Sequence, residues 1–216
     1  MKRSLLLGHR GARAYRQIPE NTLASFELCL EHGCDGFEFD VRRSADGQAV
    51  ICHDPVVRGM EIAQKPAAAL ALPSLLEVLR SFCSRAFLDI ELKAAGLEQE
   101  TAALLRTHPP QKGYVVSSFL PEVLKAIHEL DATVPVGLLC ENRDQLGLWR
   151  ELPVEWVVPQ FKLADRELIE QIHEAGKRVM VWTANGAESM RQFAEWGVDA
   201  LISDETELVT RVLRVS

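Results

Sequence analysis

Gly36-Phe37-Glu38-Phe39-Asp40-Val41 sets two carboxylates two residues apart in an otherwise apolar run. In a β-strand that spacing sends both acidic side chains to one face. Solvated polar faces belong mostly to antiparallel sheets, so two acids in a buried run point to the interior or rim of a parallel barrel. Two like charges are costly in such a place, and a hard divalent cation offsets the cost because Mg²⁺ and Ca²⁺ favour carboxylate oxygens. The plainer alternative is an amphipathic strand with a solvated acidic face.

Outward from this stretch, short apolar runs alternate with amphipathic segments. The runs cover residues 5–7, 36–41, 49–52, 86–91, 114–117, 136–140, 156–159, 179–183 and 200–203. Most are bounded by Gly, Pro, Asp or Asn and read as buried strands. Residues 21–31, 121–130, 165–175 and 187–196 have helical periodicity, with Asn21 or Thr22 as candidate N-cap of the first and Gly33, Gly176 and Gly197 as terminators. Strands alternating with helices imply a parallel sheet covered by helices. Nine strand candidates are one more than a closed eight-stranded barrel needs, and a hairpin at Asp46-Gly47 accounts for the surplus. A doubly wound open sheet is the competing architecture. The polar residues decide for the barrel, as one domain over residues 1–216.

Those residues fall at or near strand ends, where barrel enzymes build active sites. In Leu88-Asp89-Ile90-Glu91-Leu92-Lys93, Asp89, Glu91 and Lys93 share one face. Glu91 is placed to be a third carboxylate ligand, and Lys93 to pair with it or meet a phosphate. If Asp46 and Gly47 are the two central turn residues, cross-strand partners sum to 93 and His53 lies opposite Asp40. Gly8-His9-Arg10-Gly11 ends the first strand, with a planar guanidinium suited to phosphate and a histidine that titrates near neutral pH. Together these groups make a kit for metal-assisted phosphoryl chemistry. His32, at a helix C-terminus, and His108, His128 and His173 read as surface residues.

Composition bounds the partners. The 216 residues carry 24 basic and 31 acidic side chains, a net charge of −7, which argues against a nucleic-acid partner. No apolar stretch is long enough to span a bilayer, and the polar turn after Leu7 argues against a secretory signal. The cysteines Cys29, Cys34, Cys52, Cys83 and Cys140 form no CxxC pair and read as reduced thiols, which places the expected compartment in the cytoplasm.

From about Leu6 to Leu208 the chain resembles the glycerophosphodiester phosphodiesterase family. The resemblance is carried by Gly8-His9-Arg10-Gly11, Pro19-Glu20-Asn21-Thr22, Glu38-Phe39-Asp40, Asp46-Gly47 leading to His53-Asp54, Glu91-Leu92-Lys93, Ser117-Ser118-Phe119, Trp182-Thr183-Ala184-Asn185 and the closing run that ends at Ser203-Asp204. It implies a TIM-type (β/α)8 barrel that hydrolyses glycerophosphodiesters to sn-glycerol 3-phosphate and an alcohol. It further implies Glu38, Asp40 and Glu91 as ligands of one Mg²⁺ or Ca²⁺, and His9 and His53 as the acid/base pair. In the mechanism it implies, a glycerol hydroxyl attacks phosphorus and water then opens a cyclic phosphate. Arg10 and Lys93 would hold the phosphate, Glu20 and Asn185 would be substrate or supporting contacts, and Phe119 and Trp182 an apolar wall. The chain departs from the family in its reduced insertion after His53-Asp54, which reads as a loop or one short helix. Arg13 and Arg16 add basic residues to the loop before Pro19. The competing functions are a related barrel phosphodiesterase acting on lysophospholipids and a non-catalytic binding barrel.

Overall fold

A computed structural model describes residues 3–214. The strands are β1 (Leu5–His9), β2 (Gly36–Arg43), β3 (Ala49–Ile51), β4 (Val56–Val57), β5 (Met60–Glu61), β6 (Phe87–Leu92), β7 (Tyr114–Ser118), β8 (Val136–Cys140), β9 (Trp156–Pro159), β10 (Arg178–Val181) and β11 (Ala200–Ser203). The helices are α1 (Leu23–Glu31), α2 (Ala67–Leu70), α3 (Leu75–Phe82), α4 (Glu98–Thr107), α5 (Pro121–Leu130), α6 (Arg143–Gly147), α7 (Arg166–Glu174), α8 (Ala187–Glu195) and α9 (Thr206–Arg214). Eight parallel strands run in the order β1-β11-β10-β9-β8-β7-β6-β2, and the β1–β2 pairing closes the barrel. The ninth strand, β3, pairs antiparallel with β2 at the edge of the hairpin.

Helix boundaries follow local chemistry. Thr22 caps α1 by accepting from the Ser25 amide, Ser74 and Glu77 form a reciprocal capping box on α3, and Asp165 caps α7. Helices α4 and α9, outside the segments singled out by periodicity, complete the outer layer. The core divides by strand face. Phe37, Phe39 and Val41 of β2 point outward and pack with Phe26 of α1 and Phe82 of α3, the rings of Phe26 and Phe37 stacking at 4.2 Å. The opposite faces fill the barrel interior with Leu7, Phe87, Val115, Trp156 and Met180. Glu38, Asp40, Asp89 and Glu91 stand on that same interior side, all buried.

The hairpin differs from expectation by one residue. Val41 faces Ile51, Arg42 faces Val50 and Arg43 faces Ala49, so partners sum to 92. The loop holds three residues, not two: Ser44 pairs with Gln48, the Gly47 amide donates to the Ser44 carbonyl, and Gly47 takes φ +83°. This is a type I turn followed by a left-handed glycine, the three-residue solution for a hairpin. Cys52, not His53, therefore stands opposite Asp40, its amide donating to the Asp40 carbonyl at 3.0 Å. The insertion is also more structured than a loop or one helix. It folds as the β4–β5 hairpin, a 3-10 turn at Ile62–Gln64 and α2, around a small core of Val50, Ile62 and Leu70.

Candidate active site

The C-terminal strand ends converge on one cavity of about 260 Å³. His9 comes from the end of β1, Glu38 from β2, Glu91 from β6, Lys93 from just beyond it, Phe119 from after β7 and Trp182 from after β10. Arg10 and His53 complete the charged lining, and Leu139, Glu141 and Ile202 the remainder. The slip in hairpin register does not remove His53 from the cavity. β3 ends at Ile51, and past the Cys52 hydrogen bond to Asp40 the Arg42 Nε donates to the His53 carbonyl at 2.7 Å, anchoring its backbone beside the mouth.

Asp40 lies beneath the lining, 1% exposed. It accepts from Asn21 Nδ2 at 2.8 Å and faces Arg10 Nε at 3.2 Å and Lys93 Nζ at 3.2 Å. Lys93 Nζ also lies 2.7 Å from Glu91 Oε1 and above the Phe119 ring. Glu38 Oε2 accepts from the Arg10 amide at 3.0 Å, whereas buried Glu38 Oε1 has no hydrogen-bond partner. Asp40 Oδ1 and Glu91 Oε1 likewise lack hydrogen-bond geometry and are met only by the Lys93 ammonium. One oxygen each from Glu38, Asp40 and Glu91 lies within 4.8 Å of the others. Three converging carboxylates, each with a buried oxygen that has no hydrogen-bond partner, fit a hard divalent cation.

Electrostatics separates the three acids. Burial, with Asp40, Glu91 and Asp89 nearby, pushes Glu38 well above the ordinary carboxylate range. Burial and Asp40 push Glu91 up to about 8 against the pull of Lys93. Burial acts on Asp40 too, but Lys93, Arg10 and the Asn21 hydrogen bond outweigh it and hold Asp40 below its ordinary value. Burial holds His53 below its ordinary value against Asp40 and Asp54. Burial thus opposes charge on Glu38 and Glu91, while Lys93 and Arg10 favour it on Asp40.

Backbone strain is concentrated at the same place. Arg10 and Asn21 are non-glycine residues with φ of +53° and +57°, and the Asn21 amide donates to the Arg10 carbonyl. Gly11, at φ +81°, has no room for a side chain: a Cβ there would lie 2.5 Å from Ser25 Oγ. Close packing of this turn on α1 aims the Arg10 amide at Glu38 and its guanidinium at Asp40.

Besides Asp40, two of the expected site residues, Glu20 and Asn185, lie outside the cavity lining. Glu20 bridges Arg10 and Arg13, at 2.7 Å to each. Asn185 is bound to Asp204, donating to Oδ2 at 2.6 Å and accepting from the Asp204 amide at 2.9 Å. Asp204 itself, quoted above only as the end of a motif, accepts from His9 Nδ1 at 2.7 Å. Of the two candidate caps of α1, Thr22 is the cap, and Asn21 instead donates to Asp40. No local periodicity marks Asp204 or Asn21 as site residues; only the fold brings them there.

The family pattern described as "Glycerophosphoryl diester phosphodiesterase family" matches residues 9–101 and 85–208. A glycerophosphodiester phosphodiesterase of Caldanaerobacter subterraneus is 25% identical, with 98% of each chain covered. The structure of an Oleispira antarctica phosphodiesterase in complex with the product sn-glycerol-3-phosphate is similar at a TM-score of 0.85 and 26% identity, covering 98% of this chain and 97% of that one. The glycerophosphodiester phosphodiesterase of Thermotoga maritima shares the fold at a TM-score of 0.85 and 23% identity, covering 98% and 99%. With that family pattern matching nearly the whole chain, the protein belongs to the glycerophosphoryl diester phosphodiesterase family of phosphoric diester hydrolases.

Proposed function

We propose that the protein hydrolyses glycerophosphodiesters, releasing sn-glycerol 3-phosphate and an alcohol, with a divalent cation held by Glu38, Asp40 and Glu91. The observation that carries this reading is the meeting of two histidines, an arginine, a lysine and three carboxylates in and under one cavity. The Oleispira relative's complex supports the product class. The cation, Mg²⁺ or Ca²⁺, would supply Lewis-acid stabilisation of the phosphoryl oxygens.

The chain's own groups do the rest. Arg10 and Lys93 bind the phosphoryl oxygens, and Phe119 and Trp182, whose rings meet edge to face at 5.7 Å, form the apolar wall for a substrate arm. One histidine takes the proton of an attacking hydroxyl as its oxygen bonds to phosphorus. The other gives a proton to the departing alcohol oxygen as its bond to phosphorus breaks. A glycerol hydroxyl is the first attacker, and water then opens the cyclic phosphate by the same exchange with the roles reversed. The unpaired cysteines support a reducing compartment, and among the described residues no helix is long and apolar enough to cross a membrane.

A second substrate class has one observation in its favour. A cleft of about 560 Å³ runs from His53 between the loop at Pro19 and the insertion, with Ile51, Cys52, Val57 and Leu72 on its walls. That apolar surface suits one acyl chain of a lysophospholipid.

The test is hydrolysis of glycerophosphocholine, glycerophosphoethanolamine and lysophosphatidylcholine by wild type and His53→Ala, each with Mg²⁺, Ca²⁺ or EDTA. Metal-dependent release of glycerol 3-phosphate, reduced about 10²–10⁴-fold in the variant, supports the proposal. Absence of turnover of both glycerophosphodiesters with either metal sinks it, and turnover of the lysophospholipid alone transfers it to the second class.

A further inference from the structure

The two histidines of the cavity are held in different ways. His53 Nδ1 meets Asp54, its chain neighbour, at 2.8 Å, in a pair whose side chains are 34% and 74% exposed. Water can replace that partner. His9 Nδ1 meets Asp204 Oδ1 at 2.7 Å across 195 residues of chain, with side chains only 13% and 17% exposed.

Asp204 is fixed from every side. Asn185 donates to its Oδ2 at 2.6 Å and accepts from its backbone amide at 2.9 Å. Arg13 donates to Oδ1 at 3.1 Å while its Nε binds Glu20 at 2.7 Å, and Glu20 in turn binds Arg10 at 2.7 Å. A ring of charged side chains thus joins the phosphate-facing Arg10 to His9 through Glu20, Arg13 and Asp204. These hydrogen bonds hold the Asp204 carboxyl well below its ordinary range despite burial, so it is ionised and can only accept.

We infer that Asp204 is the positioning residue of His9, with Arg13 and Asn185 as its holders, and that it keeps the proton of the neutral ring on Nδ1 so that bare Nε2 faces the cavity. Nε2 points inward, 3.9 Å from Glu38 Oε2. A carboxylate on one ring nitrogen selects the tautomer and orientation of the other. The inference rests on the reading above that His9 exchanges a proton with the substrate. It gives Arg13 and Asn185, neither of which lines the cavity, a role in the chemistry through Asp204.

Long-range ¹H–¹⁵N NMR of the uniformly labelled protein reads the tautomer directly, the His9 signals being those missing from His9→Gln. Wild type should show a protonated Nδ1 and a bare Nε2. In Asp204→Asn, whose amide can donate to Nδ1, the pattern should be lost. With it, kcat should fall about 10²–10⁴-fold, while KM and the affinity for Mg²⁺ stay within about threefold. Arg13→Ala should lower kcat by about 3–10-fold with the same KM pattern.

A wild-type His9 that carries its proton on Nε2 overturns the inference, and this result needs no Asp204 variant and no turnover. So does an Asp204→Asn protein that keeps kcat within threefold. If wild type shows the expected tautomer but turns over no glycerophosphodiester, the proposed function fails and the positioning role stands.

Discussion

At the residue scale the site is a problem in charge burial. Lys93 is 14% exposed, its Nζ 3.2 Å from Asp40 Oδ1 and 2.7 Å from Glu91 Oε1. Lys93→Met should therefore destabilise the protein by about 2–3 kcal/mol at pH 7.5 in EDTA, a Tm loss of about 4–12 °C, because it takes one of the two facing cations from the buried Asp40 carboxylate. Asp40 is held below its ordinary value partly by Lys93, and that share of stability is present above the unfolded value of about 3.9 and is lost as pH falls through the lower folded value. Without Lys93 burial is less opposed, so Asp40 of the variant takes up a proton at a higher pH and its charge ceases to cost stability. The deficit of Lys93→Met should thus shrink on acidification, and Mg²⁺ or Ca²⁺ should stabilise the variant more than wild type. Thermal melts at pH 7.5 and pH 4.5, with and without metal, read both effects. A deficit that grows toward pH 4.5 would contradict the assigned role of the lysine. Glu38 and Asp40 were legible as a same-face pair because alternation in a strand is a local property. Asp204 was not, since its partner lies 195 residues away.

At the scale of elements, the hairpin shows how far turn chemistry reaches. Asp46-Gly47 marks the turn correctly, but Gly47 supplies the left-handed residue of a three-residue loop. The register shifts by one, and a one-residue shift exchanges the faces of a strand. His53 reaches the cavity because the ladder ends at Ile51, not because it pairs with Asp40. The insertion that follows is held by a satellite core in which Leu70 is fully buried. Leu70→Ala should raise amide exchange across residues 56–72 and raise KM, while Tm falls by less than about 2 °C, because the cavity it leaves lies outside the barrel core. A large Tm loss with exchange in that segment unchanged would show instead that the insertion and the barrel unfold as one unit.

For the whole molecule, closure of the barrel stacks two tiers. The polar tier of Glu38, Asp40, Asp89 and Glu91 rests on an apolar tier that includes Trp156, which is 1% exposed and meets Phe87 edge to face at 5.9 Å. Trp156→Ala should cost about 3–5 kcal/mol in urea unfolding through lost packing and a cavity. Below its unfolding transition the variant should keep kcat and KM within about threefold, since none of the cavity-lining residues is removed. A collapse of kcat in the folded variant would show that the lower tier sets the geometry of the upper one.

What the amino-acid sequence determined by itself is what alternation, capping and turn residues encode locally: the strand and helix order, the same-face acids Glu38 and Asp40, and the kit of His9, Arg10, His53, Glu91 and Lys93. What only the tertiary structure decided is how those pieces meet. The hairpin register was decided by how the turn folds and the insertion by its own small core, whereas Asn21 on Asp40 and the links of Arg13 and His9 to Asp204 exist only once β1 has closed against both β2 and β11. Hydrogen bonds between residues so far apart in the chain have no local signature. Their partners are chosen by the barrel that brings them within hydrogen-bond reach, not by the spacing of residues along the chain.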